Sequence, residues 1–180
     1  MQETRSDPQG FTLIELLIVL AIGGILLSVA VVGYGHARMR GAEASAISSL
    51  HSINQAQFAF MQTCGNGRYA PTLVSLGMPP PGSDTAFLSP DLTSSDPLPK
   101  SGYRIQLTGT EVLEAEPVPP ACTGASPVPT YRLTADPITP GTSGRRYFGT
   151  NTSRVIYADT VTYAEDMPDA GAPSHGTEIK

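Results

Sequence analysis

The run Phe11–Val32, FTLIELLIVLAIGGILLSVAVV, constrains this chain more than any other stretch. A helix needs about 20 consecutive apolar residues to cross ~30 Å of hydrocarbon. This run supplies them with a single charge, Glu15. A secretory signal peptide has a shorter apolar core, basic residues before it and a small-residue cleavage site after it. Here the preceding residues hold Arg5 but also Glu3 and Asp7, and the apolar run outlasts a signal core. The reading is therefore a membrane span. A charge at the centre of such a span costs roughly 2.5–3.5 kcal/mol on insertion scales. Near a helix N-terminus the dipole and snorkelling reduce that cost, but Glu15 still calls for a reason.

Nothing stops the helix at Val32. The following GYGHARMRGAEASAISSLHSINQAQFAFMQT contains no proline, and Ala46, Leu50, Ile53 and Phe60 recur at helical spacing. The pattern predicts one continuous helix from Phe11 to about Thr63, apolar all round at first and then amphipathic with a narrow stripe. At ~1.5 Å per residue it would run roughly 80 Å. Gly23, Gly24, Gly33, Gly35 and Gly41 each weaken it by about 1 kcal/mol relative to Ala, and in a membrane they permit close helix–helix approach. The stripe is expected to pack on the chain's own globular part. Arg38 and Arg40 follow the span, so charge alone would place that end on the cytoplasmic side.

After Cys64 the texture changes. CGNGRYAPTLVSLGMPPPGSD is turn-rich, with a short apolar piece at Leu73 to Leu76. SGYRIQLTG alternates Tyr103, Ile105 and Leu107 on one face, and TYRLTAD does the same with Tyr131, Leu133 and Ala135. RRYFGT and SRVIYADT follow, separated by Asn151-Thr152-Ser153, and EPVPPACTGASPVP is a proline-rich loop between strands. Such a sheet needs cover for its apolar face, and the amphipathic half of the long helix is the sizeable candidate. The expected class is α+β: a long N-terminal helix, transmembrane in its first half, packed against a small antiparallel head of three to four strands. The expected divisions are a leader at 1–10, the helix at 11–63 with its span at 11–32, a β head at 64–163 and a flexible tail at 164–180.

These features together resemble the type IV pilin superfamily, which includes type IV pili and type II secretion pseudopili. The resemblance rests on Gly10 to Leu17, GFTLIELL, with Gly24 and Tyr34, and on Asn66, Gly67, Tyr69, Ala70, Leu73 and Leu76 in the pattern N-G-x-Y-A-x-x-L-x-x-L. PGTSGRRYFGTNTSRVIYAD is similar to the closing hairpin of the same group. The resemblance implies cleavage after Gly10 by a prepilin peptidase, N-methylation of the new terminus Phe11, and use of Glu15 in filament assembly. It implies a structural subunit of a type IV pilus-type filament; the alternatives are a type II secretion pseudopilin or a minor tip subunit that binds DNA or surfaces. The implied partners are other copies of the chain through their N-terminal helices, the peptidase, and an inner-membrane platform with its assembly ATPase. The chain would wait in a bacterial inner membrane with its head periplasmic, then enter an extracellular pilus or periplasmic pseudopilus. On that side Cys64 and Cys122 would be oxidised to a disulfide. Cleavage would also place an α-amine one helical turn from Glu15, where the two charges neutralise each other.

Other chemistry is weakly signalled. A net charge of −5 excludes a broad electrostatic surface for nucleic acid. Arg145, Arg146, Tyr147, Phe148 and Arg154 mix basic and aromatic residues as single-strand binders do, yet an ordinary hairpin explains them equally well. Asp159, Glu165, Asp166 and Asp169 are candidate calcium ligands, but without loop spacing. Asn151-Thr152-Ser153 is formally a glycosylation sequon. His36, His51 and His175 are scattered and read as plain surface or helix residues. No zinc spacing, nucleophile–base pair or paired carboxylate can be argued, so no metal, cofactor or enzymatic activity is expected.

Overall fold

The structure, a computed structural model, describes residues 10–110 and 118–179, with residues 29–32 described in backbone only. Residues 1–9 of the leader expected at 1–10, and the start of the proline-rich loop, Glu116 and Pro117, lie outside the described residues. Helix α1 spans Leu13–Thr63 without interruption. The chain divides into two compact units, Met1–Ala37 and Arg38–Lys180. The second half of α1 therefore belongs to the head rather than preceding it at Cys64.

Among the described residues of the first unit, α1 has no apolar cover. Leu13 is 76 % exposed, Ile14 65 %, Leu20 63 % and Leu27 67 %. It is one helix long and apolar enough to cross a membrane. In the second unit the helix has a buried stripe. Ala46, Leu50, Ile53, Ala56 and Phe60 are all at or below 3 % exposure. Burying a Leu, Ile or Phe side chain contributes about 1.5–3 kcal/mol, so this stripe is the main attachment of helix to sheet. Three polar residues pin the same face. Asn54 donates from Nδ2 to Thr150 Oγ1 at 3.1 Å and accepts from the Tyr131 hydroxyl at 2.8 Å. Gln57 exchanges two bonds with the backbone of Ala70, at 2.9 and 2.8 Å. Glu43 accepts from the Arg145 amide at 3.0 Å and from Arg146 Nε at 2.8 Å.

The helix ends in a tight turn. The amides of Cys64 and Gly65 both bond to the Phe60 carbonyl, at 2.9 and 2.7 Å, and Asn66 takes φ 54°. A Cβ on Gly65 would sit 2.0 Å from the Arg68 carbonyl oxygen, so only glycine fits. Cys64 is joined to Cys122 by a disulfide, with Cα atoms 4.9 Å apart. Short helices α2 (Leu73–Leu76) and α3 (Pro90–Thr93) follow. Asp96 ties α2 to the sheet by accepting from the amides of Leu73 and Leu107.

The sheet has six strands in simple antiparallel order: β1 (Leu98–Lys100), β2 (Tyr103–Thr110), β3 (Thr130–Pro137), β4 (Tyr147–Asn151), β5 (Tyr157–Asp159) and β6 (Thr177–Glu178). The expectation of three to four strands falls short at both edges. β1 contains Pro99 and β6 is two residues long, so neither carries the alternation that marks a strand in sequence. Tyr103, Ile105, Tyr131, Leu133, Ala135 and Phe148 are fully buried and belong to one core with the α1 stripe.

Part of the segment expected as a flexible tail, 164–180, packs on the sheet beside Tyr163. Tyr163 and Met167 are buried, at 0 % and 2 % exposure. They lie on the sheet face opposite α1, where a Cβ on Gly149 would meet Tyr163 Cγ at 2.8 Å and Met167 Sδ at 2.9 Å. β6 pairs with β5, and the Ile179 amide bonds to the Ile156 carbonyl at 2.8 Å. Gly149→Ala should therefore lift this segment off the sheet, lowering head stability by about 1–3 kcal/mol through overpacking. Urea titration measures it, and an unchanged midpoint at unchanged slope contradicts the close approach.

Candidate functional site

The N-terminal end of α1 is built by a capping box. Thr12 Oγ1 accepts from the Glu15 amide at 3.3 Å, and Glu15 Oε2 accepts from the Thr12 amide at 3.1 Å and from the Thr12 hydroxyl at 3.0 Å. Two otherwise unsatisfied first-turn amides are thus paired, and the negative charge lies at the positive end of the helix dipole. Gly10 and Phe11 sit just outside this cap and are exposed, Phe11 by 84 %. The sequence reading singled out Glu15 and missed Thr12, although T-x-x-E before an apolar run is the signature of such a cap. A Cβ on Gly10 would meet nothing within 4 Å, so packing within the described chain does not demand glycine there.

The basic and aromatic residues around β4 do not form one stacking surface. Phe148 is buried in the core, Arg146 binds Glu43 at 2.8 Å, and the Arg154 guanidinium lies 4.3 Å from the Phe58 ring centroid. Burial pushes the Glu43 carboxyl up, but the Arg145 amide and the Arg146 side chain outweigh it and hold the group below the ordinary range. The sequon is closed as well. Asn151 is fully buried, and its Nδ2 donates to the carbonyls of Pro168 and Gly171, both at 2.8 Å.

The four acidic residues considered for calcium do not converge on one site among the described residues. Asp169 accepts from the Thr110 hydroxyl at 2.7 Å and lies 3.4 Å from Arg132 Nε, while Glu165 is exposed. Asp159 and Asp166 both face His175, at 2.7 Å from Nδ1 and 3.0 Å from Nε2. The imidazole stacks on Tyr163 with ring centroids 4.7 Å apart. His175 is therefore not the plain surface residue that its isolation in sequence suggested. An ionised carboxylate only accepts, so satisfying both contacts takes two N–H donors, that is, an imidazolium. The hydrogen bond to Asp159 raises the His175 pKa above its ordinary value; partial burial opposes it and Asp166 adds to it. The same bond, helped by the Thr160 amide, lowers Asp159. Burial and the two carboxylates push Tyr163 up to about 12.

Residues 5–31 match the model of the prokaryotic N-terminal methylation motif, the hallmark of prepilin-type cleavage in type IV pilins and pseudopilins. That motif implies processing by prepilin peptidase and pilin-type assembly, and with the apolar helix it suggests a membrane-anchored, pilin-like protein. No curated protein matches the chain, and no solved structure does.

The His175 clasp has a definite pH dependence. Its folded pKa is raised, so its contribution is complete below the unfolded value of about 6.5 and is lost as pH rises through the folded value. Asp159 is lowered, so its contribution is present above about 3.9 and is lost as pH falls through the depressed value. Amide exchange at Ile179, corrected for intrinsic rates, should accelerate along the alkaline limb, and His175→Gln should flatten that limb. A limb identical in both proteins contradicts the clasp.

Proposed function

We propose that this chain is a structural, pilin-like subunit of a helical filament of the type IV pilus or secretion-pseudopilus kind. The observation that carries the reading is the Thr12–Glu15 cap at the start of an exposed apolar helix, inside the residues that match the methylation motif. Cleavage after Gly10 would turn the Phe11 nitrogen into a charged amine directly beside the amide that Glu15 already caps. Away from water the amine and the carboxylate would each be costly alone, and together they neutralise.

The same carboxylate can serve the chain's own amine or that of a neighbour. In the second case Glu15 fixes register, because only a subunit displaced by the correct axial step presents its amine there. Buried polar groups are best attested in that role. The apolar helices would pack together in the fibre, with the heads outside. Before assembly the helix would hold the chain in the inner membrane, with the head periplasmic and Cys64–Cys122 oxidised. An assembly ATPase and its membrane platform would extract it. The role proposed is structural, with no catalysis.

Two substitutions test the role of the carboxylate. Glu15→Ala should insert in the membrane at least as well as the parent, since an intramembrane charge is removed. Cleavage after Gly10 should persist, and incorporation into sheared filaments should fall by tenfold or more, as expected for loss of about 1.4 kcal/mol or more of pairing. Glu15→Gln keeps the hydrogen-bonding shape without the charge and should assemble as poorly. Parental incorporation of both variants, in cells lacking the parent chain, rejects Glu15 as the assembly residue.

A further inference from the structure

The rim of the head where α1 enters is basic in an otherwise acidic chain. It holds Arg38 and Arg40 on α1, Lys100 and Arg104 around the β1–β2 turn, and Arg145 and Arg146 before β4. These are six of the eleven lysines and arginines in a chain of net charge −5. The fold brings them to one end. The Ile138 amide bonds to the Gly102 carbonyl at 2.9 Å, Glu43 holds residues 145 and 146, and a groove is lined by Arg38, Gly102, Ile138 and Thr142.

Two of the six are paired with carboxylates, Arg146 with Glu43 and Lys100 with Asp91, and Arg104 stands opposite Asp136 in the strand register, close enough to act on its charge. Among the described residues Arg38, Arg40 and the Arg145 guanidinium have no carboxylate partner, and all three residues are exposed. Ile138, at 46 % exposure, shares the groove with Arg38. The surplus is thus three guanidinium groups, one of them next to an exposed apolar residue.

We infer that this rim docks on the anionic phosphate headgroups of the membrane that holds the apolar helix, an inference that rests on the membrane-span reading above. Arg38 and Arg40 follow Val32 by six and eight residues, which at about 1.5 Å per residue is roughly the depth of a headgroup layer. Guanidinium groups bind phosphate oxygens in pairs of hydrogen bonds, and clustered basic residues next to a span are attracted to anionic lipid. The same contact gives a use to arginines that the positive-inside tendency disfavours beyond the span. Headgroup binding would rest the stored head on the bilayer and would be surrendered on extraction.

The test uses the full chain in nanodiscs of phosphatidylcholine alone or mixed with phosphatidylglycerol. Hydrogen exchange is read at residues 138–146 and at the Ser101–Gly102 turn. The mixture should slow exchange there by about tenfold, and added salt should relax it. Arg38→Gln/Arg40→Gln/Arg145→Gln should abolish the difference while leaving β3 amides, the control for folding, unchanged. Equal exchange in the two lipids overturns the inference. So does protection produced by inorganic phosphate in phosphatidylcholine, or protection that tracks the number of chains per disc, which would mark contact with a second copy. A chain that fails to enter nanodiscs removes the membrane span and this inference together; a chain that enters without lipid-charge dependence removes only this inference.

Discussion

The helix α1 asks for two different surroundings along one uninterrupted backbone, and the rest of the molecule follows from that demand. From Leu13 to Leu27 its large side chains are more than half exposed. Among the described residues nothing covers them, and an apolar surface of that extent suits lipid or other helices. From Glu43 onward the same helix presents a stripe that the sheet covers. That stripe covers the larger apolar face of the six-stranded sheet, the cover such a sheet needs to be stable.

The helix–sheet interface is positioned by polar groups as well as by area. Glu43, Asn54 and Gln57 lie on the buried face, at 9 %, 3 % and 0 % exposure, and each reaches a different part of the head. Glu43 holds the segment leading into β4, Asn54 bridges β3 and β4, and Gln57 holds the turn that follows the helix. An unsatisfied buried polar group costs about 1–3 kcal/mol, so sliding the helix along the sheet would break all three arrangements at once. Apolar packing supplies adhesion, and these residues supply register. At the other end of α1, Glu15 caps its own helix, and under the proposed function it would take on the same kind of task between subunits.

Much of this was legible from residue spacing. The apolar run, the proline-free continuation and the Ala46–Leu50–Ile53–Phe60 stripe are long patterns, and long patterns survive local noise. The alternation in β2 and β3 is equally plain because one face of each strand meets the core. The misses share a cause. Tyr163, Met167 and His175 stand singly among polar residues, and the first two are buried where Gly149 on a distant strand leaves room for them. No local period encodes that match of shapes. The Asp159–His175–Asp166 cluster was likewise invisible, because its members are brought together only when β6 returns to β5.

The central claim is that the described N-terminal segment becomes functional by being cut just outside its helix cap. The match to the methylation motif, the exposed Gly10–Phe11 bond region and the capped Glu15 all bear on one atom, the Phe11 nitrogen. Intact-mass and N-terminal fragment analysis of the native protein, recovered from the surface or membrane of the cells that make it, measures that atom directly. The account predicts a chain that starts at Phe11, carries one added methyl group on its α-nitrogen, and has Cys64 and Cys122 two hydrogens short of free thiols. Assembled material that still begins at Met1 would contradict it.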